Sequence, residues 1–255
     1  MLDKYLKERK KKKKILLMSH LVLGYPSLAA NRATIDQMVD NGVDIMELQI
    51  PFSEPSADGP VIARANQAAL DGGFKVRAGL DMVAETIAAH KIPFLLMTYY
   101  NILCAYGEER FIREAADIGV AGLIVPDLPL EYSTKPMALC AETGMSWIQL
   151  MTPTSGDERL AEIGQAGQGF VYCVARRGVT GKDTEFGDEV ANFIGRCRQA
   201  TPLPLAVGFG VKSAADVSYL AGKADIAVVG TAAITAYKKG GAEAVGQLFA
   251  GLALE

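Results

Sequence analysis

The sequence predicts an α/β protein, a single (β/α)8 barrel preceded by an N-terminal helix. Its apolar runs are continuous rather than alternating, which is typical of parallel strands covered on both faces. A glycine that can end a helix comes shortly before several of these runs, as Gly42, Gly119, Gly144 and Gly222 do. Eight such units in 255 residues match the length of one barrel of about 250 residues. A doubly wound sheet is the alternative.

Eight strands alternate with segments of helical length. The starts of consecutive runs are far enough apart for one helix between each pair, and Val76, Leu80, Val83 and Ile87 show helical spacing. No linker or low-complexity stretch divides the chain, so residues 1–255 are predicted to form one barrel domain, with residues 254–255 a possible vector scar. The strands are expected to begin near Ile15, Ile45, Phe94, Gly122, Ser146, Phe170, Leu205 and Ile226.

Residues 1–14, the basic head, carry eight lysines and arginines but only two acidic residues. Because the net charge of the chain is −3, the remainder is acidic, which argues against nucleic-acid binding as the main function. We interpret the basic head as a solvated first helix. A tether to an anionic surface or RNA is the alternative.

Several other classes of protein are disfavoured by what the sequence lacks. The basic head is followed by too short an apolar run for a signal peptide, and no run approaches a membrane span. Four separated cysteines without a CxxC pair predict reduced thiols and a cytoplasmic protein. Two histidines, His20 and His90, without a nearby ligand cluster predict no metal site. No lysine interrupts a candidate strand, which disfavours a Schiff-base aldolase.

Glu47 interrupts the second apolar strand, and alternation along that strand places it inside the barrel. Ile45, Glu47 and Gln49 share one face, whereas the opposite face is wholly apolar and suits the helix layer. The catalytic end of such a barrel is the C-terminal end of its strands. A carboxyl there is partly removed from water, which favours its protonated form and suits a general acid. A structural salt bridge to a neighbouring strand is the alternative.

Asp58 follows the same strand and precedes Gly59, Pro60 and a helical run. Spacing alone favours the interpretation that Asp58 caps this helix, with Pro60 in its first turn. Two carboxylates on one βα-loop in different surroundings are also the pattern that separates an acid from a base.

Glycines at the ends of the last three strands predict a phosphate site. Exposed backbone N–H groups and a helix N-terminus after strands 7 and 8 commonly bind phosphate in this fold. The glycine motifs are Gly178-Val179-Thr180-Gly181, Gly208-Phe209-Gly210 and Gly230-Thr231. His20, within the first strand, is interpreted as a core or pocket-wall residue rather than a catalyst.

Residues 46–60 resemble the active-site signature of the tryptophan synthase α subunit family, and the resemblance extends over nearly the whole chain. Further matching segments are Leu23-Gly24-Tyr25-Pro26, Tyr99-Tyr100-Asn101, Val125-Pro126-Asp127-Leu128-Pro129, Arg177-Gly178-Val179-Thr180-Gly181, Gly208-Phe209-Gly210 and Gly230-Thr231.

The resemblance implies a (β/α)8 barrel that cleaves indole-3-glycerol phosphate to indole and glyceraldehyde 3-phosphate, a retro-aldol reaction of tryptophan biosynthesis. It implies that Glu47 is the general acid/base and that Asp58 faces the indole N–H, which replaces the capping interpretation. By the same resemblance Tyr172 supports Asp58, Phe209 packs near the indole ring and Thr180 lies in a closing loop. The residues matching the phosphate site are Gly181, Gly210, Gly230 and Thr231.

The resemblance also implies a partner, a tryptophan synthase β subunit with pyridoxal phosphate in an α2β2 complex, and no cofactor in this chain. A lyase that is fully active alone and a barrel that only activates the partner remain open. Phosphoribosyl-isomerase-like barrels share the phosphate site but usually carry acidic residues on strands 1 and 5, and strand 5 here has none.

The chain departs from the family pattern at four positions. Gln49 stands where glycine is usual, and His20 where an aromatic residue is common. Ser56 stands where an apolar residue is common, in a segment that faces the β subunit in this family. Tyr25 stands where aspartate is frequent.

Overall fold

The computed structural model describes residues 2–174, 187–208 and 210–253. Its eight strands form a closed parallel barrel in the order β1 to β8, with β8 paired to β1. The predicted TIM-barrel fold is therefore confirmed, and the predicted strand starts agree with the observed ones to within one residue. The strands are β1 Leu16–Val22, β2 Ile45–Gln49, β3 Phe94–Met97, β4 Gly122–Ile124, β5 Ser146–Met151, β6 Val171–Val174, β7 Leu205–Gly208 and β8 Ile226–Val229.

Helices cover the outside of the barrel and connect its strands. Two helices follow β2 and two follow β3, and a short 3-10 turn at Leu130–Tyr132 follows β4. The α-helices are α1 Leu2–Lys10, α2 Leu28–Asp40, α3 Pro60–Asp71, α4 Val76–Ala89, α5 Tyr100–Tyr106, α6 Glu108–Asp117, α7 Thr134–Glu142, α8 Asp157–Ala166, α9 Asp188–Ala200, α10 Ala214–Leu220 and α11 Thr231–Leu252, the last with a kink at Gly240 and Gly241.

Alternate residues of β2 point to the helix layer and to the barrel interior, as the sequence pattern predicts. Met46 and Leu48 pack in the outer core with side chains of the helix layer. Ile45 belongs to the inner core of the barrel, and Glu47 on the same face is almost fully buried. The register aligns Glu47 with His20 on β1 and with Leu95 on β3. The acidic side chain therefore lies in the interior of the barrel.

The basic head is not simply a solvated helix. Leu2 and Leu6 of α1 are 2% and 1% exposed and pack into the inner core, beside Phe170 and Ile226 at the N-terminal ends of β6 and β8. Spacing of four residues puts both leucines on one face of the short helix, and its charged residues occupy the others. Helix α1 therefore closes the end of the barrel opposite the predicted site.

Ion pairs attach the basic head to the same end of the barrel. Asp44, which immediately precedes β2 and is fully buried, accepts from Arg9 Nε at 2.6 Å and from Lys13 Nζ at 2.9 Å. It also accepts from the backbone N–H of Leu17 at 2.9 Å. Lys10 pairs with Asp225, which precedes β8. Part of the positive charge of the basic head thus balances carboxylates of the barrel itself.

Two of the expected absences can be compared with the described part of the chain. None of the helices described there is both long and apolar enough to cross a bilayer. The described residues likewise contain no cluster of three or more histidines, cysteines or acidic residues that could hold a metal ion.

We predict that Leu6→Ala lowers the free energy of unfolding by about 2–5 kcal/mol, because the variant leaves a cavity in the inner core. Urea denaturation of the full chain measures the change. The adjacent variant Lys7→Ala, at an exposed position of the same helix, is the control and should change stability by less than about 0.5 kcal/mol. Equal effects of the two variants would contradict the role of α1 in closing the barrel.

Candidate active site

Glu47 and His20 meet in the interior of the barrel. Their side chains come from the neighbouring strands β2 and β1, and the residues are 3% and 5% exposed. Glu47 Oε1 lies 3.1 Å from His20 Nδ1. The alternative in which Glu47 pairs with a neighbouring strand is thus partly realised, but its partner is a titratable imidazole. The position of His20 fits the predicted pocket wall.

Asp58 does not cap the helix that follows it, so the prediction from spacing alone was wrong. Helix α3 begins at Pro60 with Gly59 as the N-cap residue, and no side chain caps it. Asp58 lies one residue too early, and its carboxylate turns towards the barrel. Asp58 Oδ2 accepts from Gln49 Nε2 at 2.6 Å and from Tyr99 Oη at 3.0 Å.

Tyr99 positions the loop that carries Asp58. It follows β3, is fully buried, and its hydroxyl accepts from the Ala57 backbone N–H at 3.0 Å while it donates to Asp58. Its ring stacks on Phe52 with centroids 5.0 Å apart. The start of the loop is held by the Phe52 N–H, which donates to the buried Asn66 Oδ1 at 2.9 Å. The loop therefore presents Asp58 in one orientation.

The pKa of Asp58 reflects its position near the interior of the barrel. Burial raises the pKa of Asp58 above its usual range, and the charge of Glu47 adds to the increase, although His20, Gln49 and Tyr99 oppose it. Gln49, which shares the inward face of β2 with Glu47, donates to Asp58 Oδ2 and so connects the two carboxylates. Glu47 and Asp58 therefore lie at the same end of the barrel interior.

Tyr172 on β6 lies in that interior as well. Burial raises its pKa well above the usual value, and the charges of Glu47 and Asp58 contribute, so its hydroxyl remains protonated. The ring packs directly on β7, because a Cβ atom at Gly208 would lie only 2.7 Å from Tyr172 Oη. In the described part of the chain, the tyrosine that donates to Asp58 is Tyr99. A supporting role for Tyr172 stays a prediction.

The imidazole of His20 is also affected by its neighbours. Burial is the largest single influence and lowers the pKa of His20, whereas the charge of Glu47 and its hydrogen bond raise it. The charge of Asp58 and the side chain of Gln49 act in the same direction. The net effect is a pKa above the usual value for histidine.

Three polar atoms in this interior have no hydrogen-bond partner. Within the described residues, the buried side-chain atoms in this state are His20 Nε2, Glu47 Oε2 and Gln49 Oε1. Unsatisfied buried polar atoms are rare in proteins and costly, so their concentration in one place indicates a site for a polar ligand.

The N-terminus of α11 offers an anion site at the same end of the barrel. Gly230 ends β8 and is the N-cap of this helix, whose first turn from Thr231 contains no acidic residue and no side-chain cap. By contrast, Asp216 and Ser213 form a capping box that closes the N-terminus of α10. The free backbone N–H groups and the helix dipole of α11 favour a phosphate group.

Of the remaining residues predicted to contact the substrate, Gly210 is described in the structure. Gly210 follows β7 with a φ of +112°, a conformation that residues with a side chain rarely adopt. Thr180, Gly181 and Phe209 lie outside the described residues.

The role of Tyr99 was missed in the sequence. The residue appeared there only as part of a matching segment, and nothing in its spacing indicated contact with Asp58. Gln49 and His20 were recognised as departures from the family pattern. Their pairing with the two carboxylates could have been suspected, because Gln49 shares the face of Glu47 and His20 is the one titratable residue of the first strand.

Comparisons with known proteins show which proteins the chain is similar to. A tryptophan synthase alpha chain from Desulforapulum autotrophicum is 52% identical over 253 residues, which cover 99% of this chain and 100% of the relative. One from Desulfotalea psychrophila is 52% identical over 98% of this chain and 99% of the relative.

Solved structures extend the similarity to the fold. A Mycobacterium tuberculosis tryptophan synthase structure has a TM-score of 0.91 and 35% identity, covering 98% of this chain and 96% of the other. A tryptophan synthase complex from Pyrococcus furiosus has a TM-score of 0.85 and 32% identity, covering 93% and 96%. The profile of the tryptophan synthase alpha chain family matches residues 6–249. The chain belongs to the tryptophan synthase alpha chain family.

Proposed function

We propose that this chain cleaves indole-3-glycerol phosphate to indole and glyceraldehyde 3-phosphate, the reaction of its family, with Glu47 as general acid/base and Asp58 as the carboxylate that stabilises charge. The observation that carries the assignment is the common interior of the buried Glu47 carboxylate and the half-buried Asp58 carboxylate at the C-terminal end of β2, where Gln49 donates to Asp58. The reaction belongs to tryptophan biosynthesis.

Glu47 supplies the proton that makes the carbon–carbon bond breakable. When the proton is bound to C3 of the indole ring, the ring becomes an electron acceptor. The C3–C3′ bond then breaks with its electron pair entering the ring, while the C3′ hydroxyl loses its proton and becomes the aldehyde. The same carboxylate can accept this second proton, so the reaction needs no net acid or base. Its burial strengthens each of these interactions.

Asp58 stabilises the positive charge that forms on the indole ring. Protonation of C3 places positive charge on the ring nitrogen, and a fixed carboxylate near the indole N–H stabilises it. The hydrogen bonds from Gln49 and Tyr99 hold the Asp58 carboxylate in place before the substrate binds. The phosphate of the substrate binds at the N-terminus of α11, with Gly230, Thr231 and Gly210 nearest it and Gly181 also contributing. By resemblance to the family, we further propose that Tyr172 supports Asp58, that Phe209 packs near the indole ring and that Thr180 belongs to the closing loop.

We predict that Glu47→Gln lowers kcat for indole release by a factor of about 10²–10⁴, because the amide has the shape of the acid but cannot donate the proton. Indole formed from indole-3-glycerol phosphate measures the effect. Glu85→Gln, at an exposed carboxylate on α4, is the matched control and should leave kcat unchanged. Turnover of Glu47→Gln close to that of the wild type, in a folded protein, would exclude Glu47 as the acid.

We predict that Asp58→Asn lowers the activity of the chain but raises its stability at neutral pH. The variant removes the charge that stabilises the ring nitrogen, and kcat should fall about a hundredfold. Its stability should increase at neutral pH. The raised pKa of Asp58 means that the folded chain binds this proton more tightly than the unfolded chain, so ionisation destabilises the fold as pH rises.

Urea denaturation at several pH values tests this sign. The gain from Asp58→Asn should be greatest above the raised pKa of Asp58 and should disappear below the ordinary pKa of aspartate, about 3.9. A variant that is less stable than the wild type at neutral pH would show that the charged form of Asp58 supports the fold.

The chain is also proposed to work with a tryptophan synthase β subunit in an α2β2 complex, the β subunit carrying pyridoxal phosphate and this chain no cofactor. An acid and a charge-stabilising carboxylate suffice for its own step. The proposed location of the complex is the cytoplasm.

If the chain forms this complex, we expect that adding a β subunit increases the rate at which the chain releases indole. We also expect the mixed sample to have the molecular mass of a heterotetramer. Equal turnover with and without the β subunit would favour the lyase that is fully active alone. A chain that releases no indole but stimulates the β subunit would favour the activating partner.

A further inference from the structure

His20, which contacts Glu47, takes no part in the mechanism proposed above. His20 Nδ1 and Glu47 Oε1 are 3.1 Å apart, both residues are almost wholly buried, and the second ring nitrogen of His20 has no partner among the described residues. An aromatic residue is common at this position in the family. The imidazole of His20 differs from such a residue because it can bind and release a proton.

We propose that His20 is a positioning residue that shares the labile proton of the acid–base site with Glu47, a proposal that rests on the proposed function. In the free enzyme the proton is bound to His20 and the imidazolium holds the Glu47 carboxylate by a hydrogen bond. Glu47 remains the group that contacts the substrate.

The shared proton moves along the observed contact. The His20 Nδ1–H bond breaks as an Oε1–H bond forms on Glu47, which leaves a neutral imidazole and a neutral carboxylic acid. Glu47 then donates this proton to C3 of the indole ring. The proton released by the C3′ hydroxyl returns to the carboxylate, and the pair ends the turnover with the number of protons it had at the start.

The surroundings of His20 favour this arrangement. From β2 and its following loop the ring faces Glu47, Gln49 and Asp58, all of which favour the imidazolium and raise the pKa of His20 against the effect of burial. On the β8 side its neighbour is the backbone of Gly230, where a Cβ atom would lie 3.5 Å from His20 Cβ.

From α3 the apolar side chain of Ile62 approaches this place, since the same Cβ atom would lie 3.7 Å from it. The charged groups that act on the ring, Glu47 and Asp58, are both acidic.

The first test is a titration of the histidine rings by nuclear magnetic resonance in the ¹⁵N-labelled full chain. The sequence has only two histidines, so His90→Gln assigns both rings. We expect the midpoint of His20 to lie above the ordinary value of about 6.5, and Glu47→Gln to lower it by about one pH unit or more. A midpoint at or below the ordinary value that Glu47→Gln does not move would overturn the proposal.

The second test is the pH profile of kcat/KM. His20→Phe leaves Glu47 as the only holder of the proton, so the alkaline limb should move to lower pH by about one unit or more. At pH 8 kcat should fall by a factor of about 10–100, and the loss should be smaller in acid. His20→Asn, which can donate a hydrogen bond but cannot titrate, should behave as His20→Phe does.

His90→Gln is the matched control, because His90 also contacts a carboxylate, Asp36 at 2.9 Å, but lies at the end of α4. Its profile should equal that of the wild type. A wild-type profile in His20→Asn would show that hydrogen bonding alone is sufficient and would overturn the proposal. If the wild type releases no indole, the proposed function fails, while the resonance titration still decides whether the proton is shared.

Discussion

The inward face of β2 is the constraint on which the rest of the site depends. A closed parallel barrel leaves no choice about the side on which alternate residues lie, so Glu47 and Gln49 must share its interior. Gln49 donates to Asp58, His20 comes from β1, and Tyr99 comes from the segment that follows β3. Because β8 closes against β1, the N-terminus of α11 lies next to this group. The two carboxylates and the N-terminus of α11 therefore lie at the C-terminal ends of the adjacent strands β8, β1 and β2.

This concentration of buried polar groups is costly for the fold. Unpartnered atoms on His20, Glu47 and Gln49 and the raised pKa of Asp58 all oppose folding at neutral pH. The other end of the barrel is built in the opposite way, with the leucines of α1 packed into the inner core and Asp44 paired with two cations. Stability and chemistry are thus divided between the two ends, as is common in enzymes of this fold.

The sequence was sufficient for the architecture and for the inward direction of Glu47, because both follow from the periodicity of apolar residues. It was insufficient wherever a contact joins distant segments. The capping interpretation of Asp58 failed because a loop residue can turn either way, and here Gln49 and Tyr99 determine the direction. Spacing could not decide this direction, although the family resemblance did. The burial of one face of α1 was not predictable, because two leucines are a weak signal in a charged helix.

The most direct test of the central claim is a crystal structure of the chain with an uncleavable indole-3-alkyl phosphate. We expect C3 of the ring to lie within hydrogen-bonding distance of a Glu47 carboxylate oxygen. We also expect the indole N–H to donate to Asp58 and the phosphate to contact the N–H groups at the start of α11. A ring bound away from Glu47, or a phosphate bound at another helix, would contradict it.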